Sequence, residues 1–237
     1  MLTHKPWNPE SLLWLGCTFM LALSPGAVVA GLFADGSVAQ MAANITVLPV
    51  AILVSIIVWF QVNHRVYRSP IWLADTFGFN RKNPGRCLML GLVTGLGLVL
   101  ISMVLALLTS QLIHALGDQA EPQKLVTLIA EEYSKKENIR TLIFFVVMAV
   151  VVAPIAEEIL FRGILYPAIK QIGYPRLAAI GTALLFALFH VNLLTFASLT
   201  VVALGLIALY EFTDNLLAPI TAHAVFNASN LIMLFWR

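Results

Sequence analysis

Six polar side chains stand in stretches that are otherwise too apolar to hold them. Glu157 and Glu158 are adjacent, Arg162 follows one turn later, and His190, His223 and Asn227 come further along the chain. An ionised group at bilayer depth costs roughly 2.5–3.5 kcal/mol on insertion scales, so such groups face a polar cavity or pair with one another. Glu158 and Arg162 are i,i+4 neighbours on a helix and can form an ion pair. Adjacent helical residues point about 100° apart, which turns Glu157 toward a different surface. Pro154 lies one turn earlier, where it kinks a helix and frees a carbonyl. Phe186-x-x-x-His190, followed by Asn192, and His223-x-x-x-Asn227 each put two side chains on one helix face.

A glutamate beside a histidine can take a proton from a water held between them. A histidine and an asparagine on a facing helix can donate to a developing oxyanion. Together these groups would hydrolyse an amide in a cavity sheltered from lipid, with no covalent nucleophile. Serine chemistry has no candidate: G-x-S-x-G is absent, and Ser198 and Ser229 have no base at helical spacing. An aspartyl pair is missing as well, since Asp214 alone lies near a span. Metal is the competing reading. H-E-x-x-H is absent, but Glu157, His190 and His223 make a three-ligand set of the kind a catalytic zinc uses, with an open position for water. Both readings predict amide hydrolysis.

The elements that must position these groups are membrane spans. The 237 residues are 60% hydrophobic and 11% charged, whereas a soluble domain carries about 25% charged residues. The chain reads as an integral membrane protein. The net charge of +2 says nothing about nucleic acid, no basic run is long enough to track phosphates, and no nucleic-acid partner is expected. Cys17 and Cys87 read as two separate thiols in or beside apolar segments, with no disulfide framework. Apolar stretches of roughly 20 residues run over Ser11–Phe33, with Pro25-Gly26 inside, and over Met41–Val62, with Pro49 inside. A third spans Cys87–Ala115, where Gly91, Gly95 and Gly97 permit close helix approach. Thr141–Ala156 leads into the glutamate pair, and three more follow at about 176–190, 195–212 and 215–235. The first segment reads as an uncleaved span, being long for a signal peptide.

His64–Arg86 holds Arg65, Arg68, Arg81, Lys82 and Arg86 against Asp75. The positive-inside rule makes that loop and the N-terminus cytoplasmic. Within the opposite loop, Glu121–Lys136 has apolar residues at 125, 126, 128 and 129, which suits either an interfacial helix or a solvated connection. A helix from 141 to about 170, turning at Gly173-Tyr174-Pro175, puts Glu157 and His190 each roughly 20 Å from the turn. His223, roughly 12 Å into the last span, matches less well and needs a tilted, broken or offset helix.

The stretches E-E-I-L-F-R-G-I-L-Y, L-L-F-A-L-F-H-V-N, G-L-I-A-L-Y-E-F-T-D-N-L-L-A-P-I and H-A-V-F-N cover about 149–231. Through them the chain strongly resembles the CPBP family of intramembrane proteases, the CAAX-protease and bacteriocin-processing (Abi) family. Residues 1–140 match only in being hydrophobic spans. The resemblance implies an all-α, polytopic bundle of about 7–8 transmembrane helices around an intramembrane polar cavity. Residues 1–140 supply N-terminal helices and loops and 141–237 the catalytic core, within a single membrane domain.

It further implies a glutamic-type endopeptidase in which Glu157 and His190 activate water while His223 and Asn227 stabilise the oxyanion. Glu158 and Arg162 are then supporting. No cofactor is implied, zinc being the alternative already given, and the partners are the lipid bilayer and a peptide or membrane-protein substrate. The expected location is a bacterial plasma membrane. T-D-N-L at 213–216 replaces a common T-G-S-L at a helix-joining turn, where Asp and Asn also fit. A non-catalytic binding or regulatory protein, as in bacteriocin immunity, is the alternative function. A transporter would show an inverted repeat, and none is visible.

Overall fold

The computed structural model describes residues 2–5, 10–34, 37–68, 73–79, 83–117, 119, 124–135 and 139–236. Arg81, Lys82, residues 121–123 and Lys136, invoked above, lie outside them. Nine helices and no strand occur among the described residues: α1 Ser11–Gly31, α2 Val38–Arg65, α3 Leu73–Thr76, α4 Pro84–Ala115, α5 Lys124–Lys135, α6 Ile139–Gln171, α7 Pro175–Phe189, α8 Leu193–Thr213 and α9 Leu217–Phe235. Six of them, α1, α2, α4, α6, α8 and α9, are long and apolar enough to cross a membrane. The seventh expected span is shorter. α7 has 15 residues, about 22 Å, against a hydrocarbon core of roughly 30 Å. It starts at the α6–α7 turn, where Gly173 has a φ of 105°, and ends with His190 as its C-cap. That histidine therefore caps a helix shorter than the hydrocarbon core is thick.

α6 is the central rod, packed against α2, α7, α8 and α9. It contains two widened, π-helical stretches, Met148–Val152 and Ile159–Leu165. Each closes just before a proline: the Ala153 N–H reaches back to the Met148 carbonyl ahead of Pro154, and the Tyr166 N–H reaches the Phe161 carbonyl ahead of Pro167. A proline ring collides with the carbonyl four residues back and offers no N–H. Lengthening the preceding turn by one residue relieves that collision. The kink expected at Pro154 is thus a register change, and a second one ahead of Pro167 lies on the other side of the glutamate pair.

α4 packs on α8 and α9. At Gly91 and Gly95 a Cβ would lie 2.7 Å from the carbonyl oxygens of Ala218 and Ala222. The two helix backbones are in close approach, as small residues in membranes allow. Gly97 faces open space instead, so it plays no part in this contact. The open question at 121–136 is answered by α5, a helix whose Ile129 is buried with Phe145 and Leu231 and whose Tyr133 ring stacks on Phe235 at 4.5 Å. One hydrophobic core draws on both halves of the chain, from Leu15, Ile52 and Trp59 to Phe161, Phe186 and Leu206.

At the end of the bundle, the α8–α9 turn is sunk below the surface. Asp214, Asn215 and Leu216 are buried, and the Leu216 N–H donates to the Phe77 carbonyl at 2.9 Å. The 77–79 turn can sit there because residue 78 is glycine: φ is 78°, and a Cβ would meet the Asp214 carbonyl at 1.9 Å. Asp214 adopts the left-handed conformation with φ 46°, and Asn215 Oδ1 accepts the Leu217 N–H at 2.9 Å, so both residues do suit this turn.

Asp214 has a second task. Its Oδ1 lies 3.2 Å from Lys5 Nζ and accepts from the Thr3 hydroxyl and N–H, while Lys5 Nζ also donates to the Thr76 carbonyl at 2.8 Å. The Lys5 N–H donates to Gln171 and the Leu2 N–H to Glu211. Glu211 also takes Tyr166 and Lys170 as partners. Residues 2–5 therefore strap the ends of α3, α6 and α8 together.

Burial alone would raise the Asp214 carboxyl, but the Lys5 ammonium and the Thr3 donors outweigh it and hold the group below the ordinary carboxylate value. A depressed folded value stabilises above the unfolded value and ceases to do so as pH falls through the folded one. Asp214→Asn is expected to lower the thermal unfolding midpoint of the detergent-solubilised protein by a few degrees at pH 7. The gap to the unmodified protein should close as pH falls below about 4. A pH series of unfolding scans checks this.

Candidate active site

The glutamate pair sits in the short α-helical turn, Ala153–Glu158, between the two π stretches of α6. Glu158 points toward α8 and α9. Its Oε1 accepts from Arg162 Nη1 at 2.8 Å and meets His223 Nδ1 at 2.8 Å. Glu158 has no exposure and Arg162 has 1%. The guanidinium spends a second donor on the Ala203 carbonyl at 3.2 Å and lies 4.6 Å over the Phe186 ring. The expected i,i+4 pair is present, and His223 joins it from α9. A carboxylate only accepts, so Nδ1 of His223 carries the hydrogen. Nε2 is left facing the other way.

That other way leads to Glu157. His223 Nε2 lies 3.9 Å from Glu157 Oε2, too long for a direct hydrogen bond and suited to a shared water. The residue that depth matching ranked second is thus in contact range of both carboxylates. The turn from which α9 starts is buried, and α9 carries His223 to the pair.

Glu157 lines a cavity of about 420 Å³ between α2, α6 and α7. His190 lines the same cavity, and its walls include Leu48, Ile52, Phe161 and Phe189. His190 Nδ1 is 2.9 Å from the Phe186 carbonyl. A carbonyl cannot donate, so this ring too carries its hydrogen on Nδ1 and presents Nε2 as an acceptor. Both rings therefore carry a hydrogen on Nδ1, held by a carboxylate in His223 and by main chain in His190.

Asn227 Nδ2 donates to the Ala149 carbonyl at 2.8 Å, and Ala149 is itself part of the cavity wall. Asn192 lies elsewhere: it is the N-cap of α8, where its Oδ1 accepts the Thr195 N–H at 3.0 Å. Sequence reasoning missed α2 as a wall of the site. Asn44, an exposed residue of α2, lines the cavity with Ile45 and Pro49. Pro49 was visible as an interruption of that span, but nothing in the spacing tied it to residues a hundred positions away.

Among the described residues, no three His, Cys, Asp or Glu side chains are grouped so as to hold a metal. Glu157, His190 and His223 do not form such a set, and no step below is routed through one. The cavity itself is lined by the Glu157 carboxylate and His190, His223 Nε2 stands 3.9 Å behind Glu157, and the Asn227 amide is bonded to the wall residue Ala149, which are the kinds of group that water activation and oxyanion stabilisation use.

Residues 139–229 match the family model described as Type II CAAX prenyl endopeptidase Rce1-like. No curated protein and no solved structure matches the chain. The matched stretch begins at the first residue of α6 and contains the glutamate pair, Arg162, both histidines and Asn227. Through residues 139–229, this integral membrane protein is similar to the type II CAAX prenyl endopeptidase Rce1-like family.

Proposed function

We propose that the chain is a glutamic-type intramembrane endopeptidase in which Glu157 is the general base. The observation that carries this reading is the split orientation of the glutamate pair. Glu158 is consumed by Arg162 and His223, while Glu157 is left to line the cavity beside His190. A water held between the Glu157 carboxylate and His190 Nε2 gives up its proton to Glu157 and attacks the peptide carbonyl. His223 in its doubly protonated form donates from Nε2 to the oxyanion beside the Asn227 amide, and Glu158 on Nδ1 stabilises the positive charge of that ring. Glu157 then returns its proton to the leaving amine. Water, peptide carbonyl and amine balance without a covalent intermediate.

The apolar walls favour a substrate that presents neutral, hydrophobic side chains around the scissile bond, drawn from a peptide or membrane protein in the lipid bilayer. The basic residues at Arg65, Arg68 and Arg86 favour a cytoplasmic N-terminus, and the family resemblance favours a bacterial plasma membrane.

Glu157→Gln and His190→Ala are each expected to lower cleavage at least about 100-fold with no change in folded yield. Membrane proteomics of the native host, comparing wild type with a Glu157→Gln strain, reads this as peptide termini that vanish in the variant. Termini that persist at wild-type abundance would remove Glu157 as the base. Glu158→Ala has a different expected outcome. It strands a fully buried guanidinium, a loss of roughly 3–5 kcal/mol, and shows as a lower unfolding midpoint and yield in detergent.

A further inference from the structure

Ala149 lies in the first π stretch of α6, where the main-chain register runs five residues back: the Ala153 N–H bonds the Met148 carbonyl. In that register the next donor, for the Ala149 carbonyl, is residue 154. Residue 154 is proline and has no N–H. A buried carbonyl without a donor costs about 1–3 kcal/mol. The donor comes from another helix, as the Asn227 side chain on α9, at 2.8 Å. Ala149 and Glu157 face the same cavity, one helical face apart.

We infer that Pro154 and Asn227 together form a positioning device. Pro154 withholds a main-chain donor from Ala149, the Asn227 amide takes its place, and this bond from α9 holds the π turn that aims Glu157 into the cavity. The inference rests on the reading of Glu157 as the reacting carboxylate, and it gives Asn227 a task beyond the oxyanion. One amide hydrogen is fixed on Ala149, which orients the amide and leaves its second hydrogen for the reacting centre. Pro154 is not among the residues lining the cavity and acts through Ala149 and Asn227.

The device predicts coupling between two residues on different helices. Pro154→Ala gives the Ala149 carbonyl a main-chain donor again, from residue 153 or 154 according to the register the turn adopts. Asn227→Ala is then expected to lower the unfolding midpoint of the detergent-solubilised protein when Pro154 is present, and scarcely to move it in the Pro154→Ala background. Equal drops in both backgrounds would overturn the inference.

The second readout follows the aim of Glu157 without any substrate. Dicyclohexylcarbodiimide reacts with carboxyl groups in apolar surroundings, and mass spectrometry maps the adduct. Glu157 labelling is expected to slow at least about threefold in Asn227→Ala and in Pro154→Ala, because a displaced reactive group loses rate steeply. Unchanged labelling in both variants would reduce the Asn227–Ala149 bond to plain packing and overturn the positioning role. If Asn227→Ala does not fold alone, Pro154→Ala carries the labelling test and the double variant reports the coupling. Neither readout uses proteolysis. A failure of Glu157 as the base therefore appears in the termini experiment, and a failure of this device appears in the cycle and the labelling.

Discussion

Arg162 is 1% exposed in a protein surrounded by hydrocarbon, and its charge has to be answered where it stands. Glu158 answers it at 2.8 Å, the Ala203 carbonyl takes a second donor, and the Phe186 ring covers the face. Each of these partners comes from a different place: the same helix, α8 and α7. His223 adds α9 through its bond to Glu158. Four helices are therefore fixed around one buried ion pair. Such a pair is weak evidence for net stability, but losing either partner is costly, so the geometry has little freedom to drift. The unpaired carboxylate, Glu157, can face a cavity because its neighbour has absorbed the local positive charge.

The prolines of α6 work in the same direction. A straight α-helix would set Glu157 and Glu158 on faces dictated by the helical repeat alone. The widened turns before Pro154 and Pro167 change that repeat on both sides of the pair. Main-chain carbonyls inside lipid require donors, since no water is at hand. The side-chain amide of Asn227 on the Ala149 carbonyl meets that requirement from a neighbouring helix. Local backbone irregularity and interhelical bonding are one arrangement here, and both lie against the cavity.

Peripheral contacts set the depth at which these groups meet. Gly91 and Gly95 let α4 seat directly on α9, and the 77–79 turn covers the start of α9. The Lys5–Asp214 pair and the Glu211 cluster tie the amino-terminal residues to the ends of α6 and α8. These bonds are far from the chemistry but fix where α9 begins. α9 in turn carries His223 to Glu158, where Nδ1 and Oε1 meet at 2.8 Å.

The sequence by itself determined the class of the molecule and the chemical inventory of its site. Composition alone requires a membrane protein, and helical spacing alone pairs Glu158 with Arg162, because both follow from local periodicity and the cost of charge in lipid. The turn at Gly173 and the helix irregularity at Pro154 were legible for the same local reason. Tertiary structure decided the rest. That α2 walls the cavity, that His223 rather than His190 bonds the pair, that Asn227 is anchored on Ala149 and that Asp214 holds Lys5 all depend on contacts between segments tens to hundreds of residues apart. Such contacts are set by how deep each helix starts and how closely its neighbours approach, and neither quantity is written in the periodicity of any one helix.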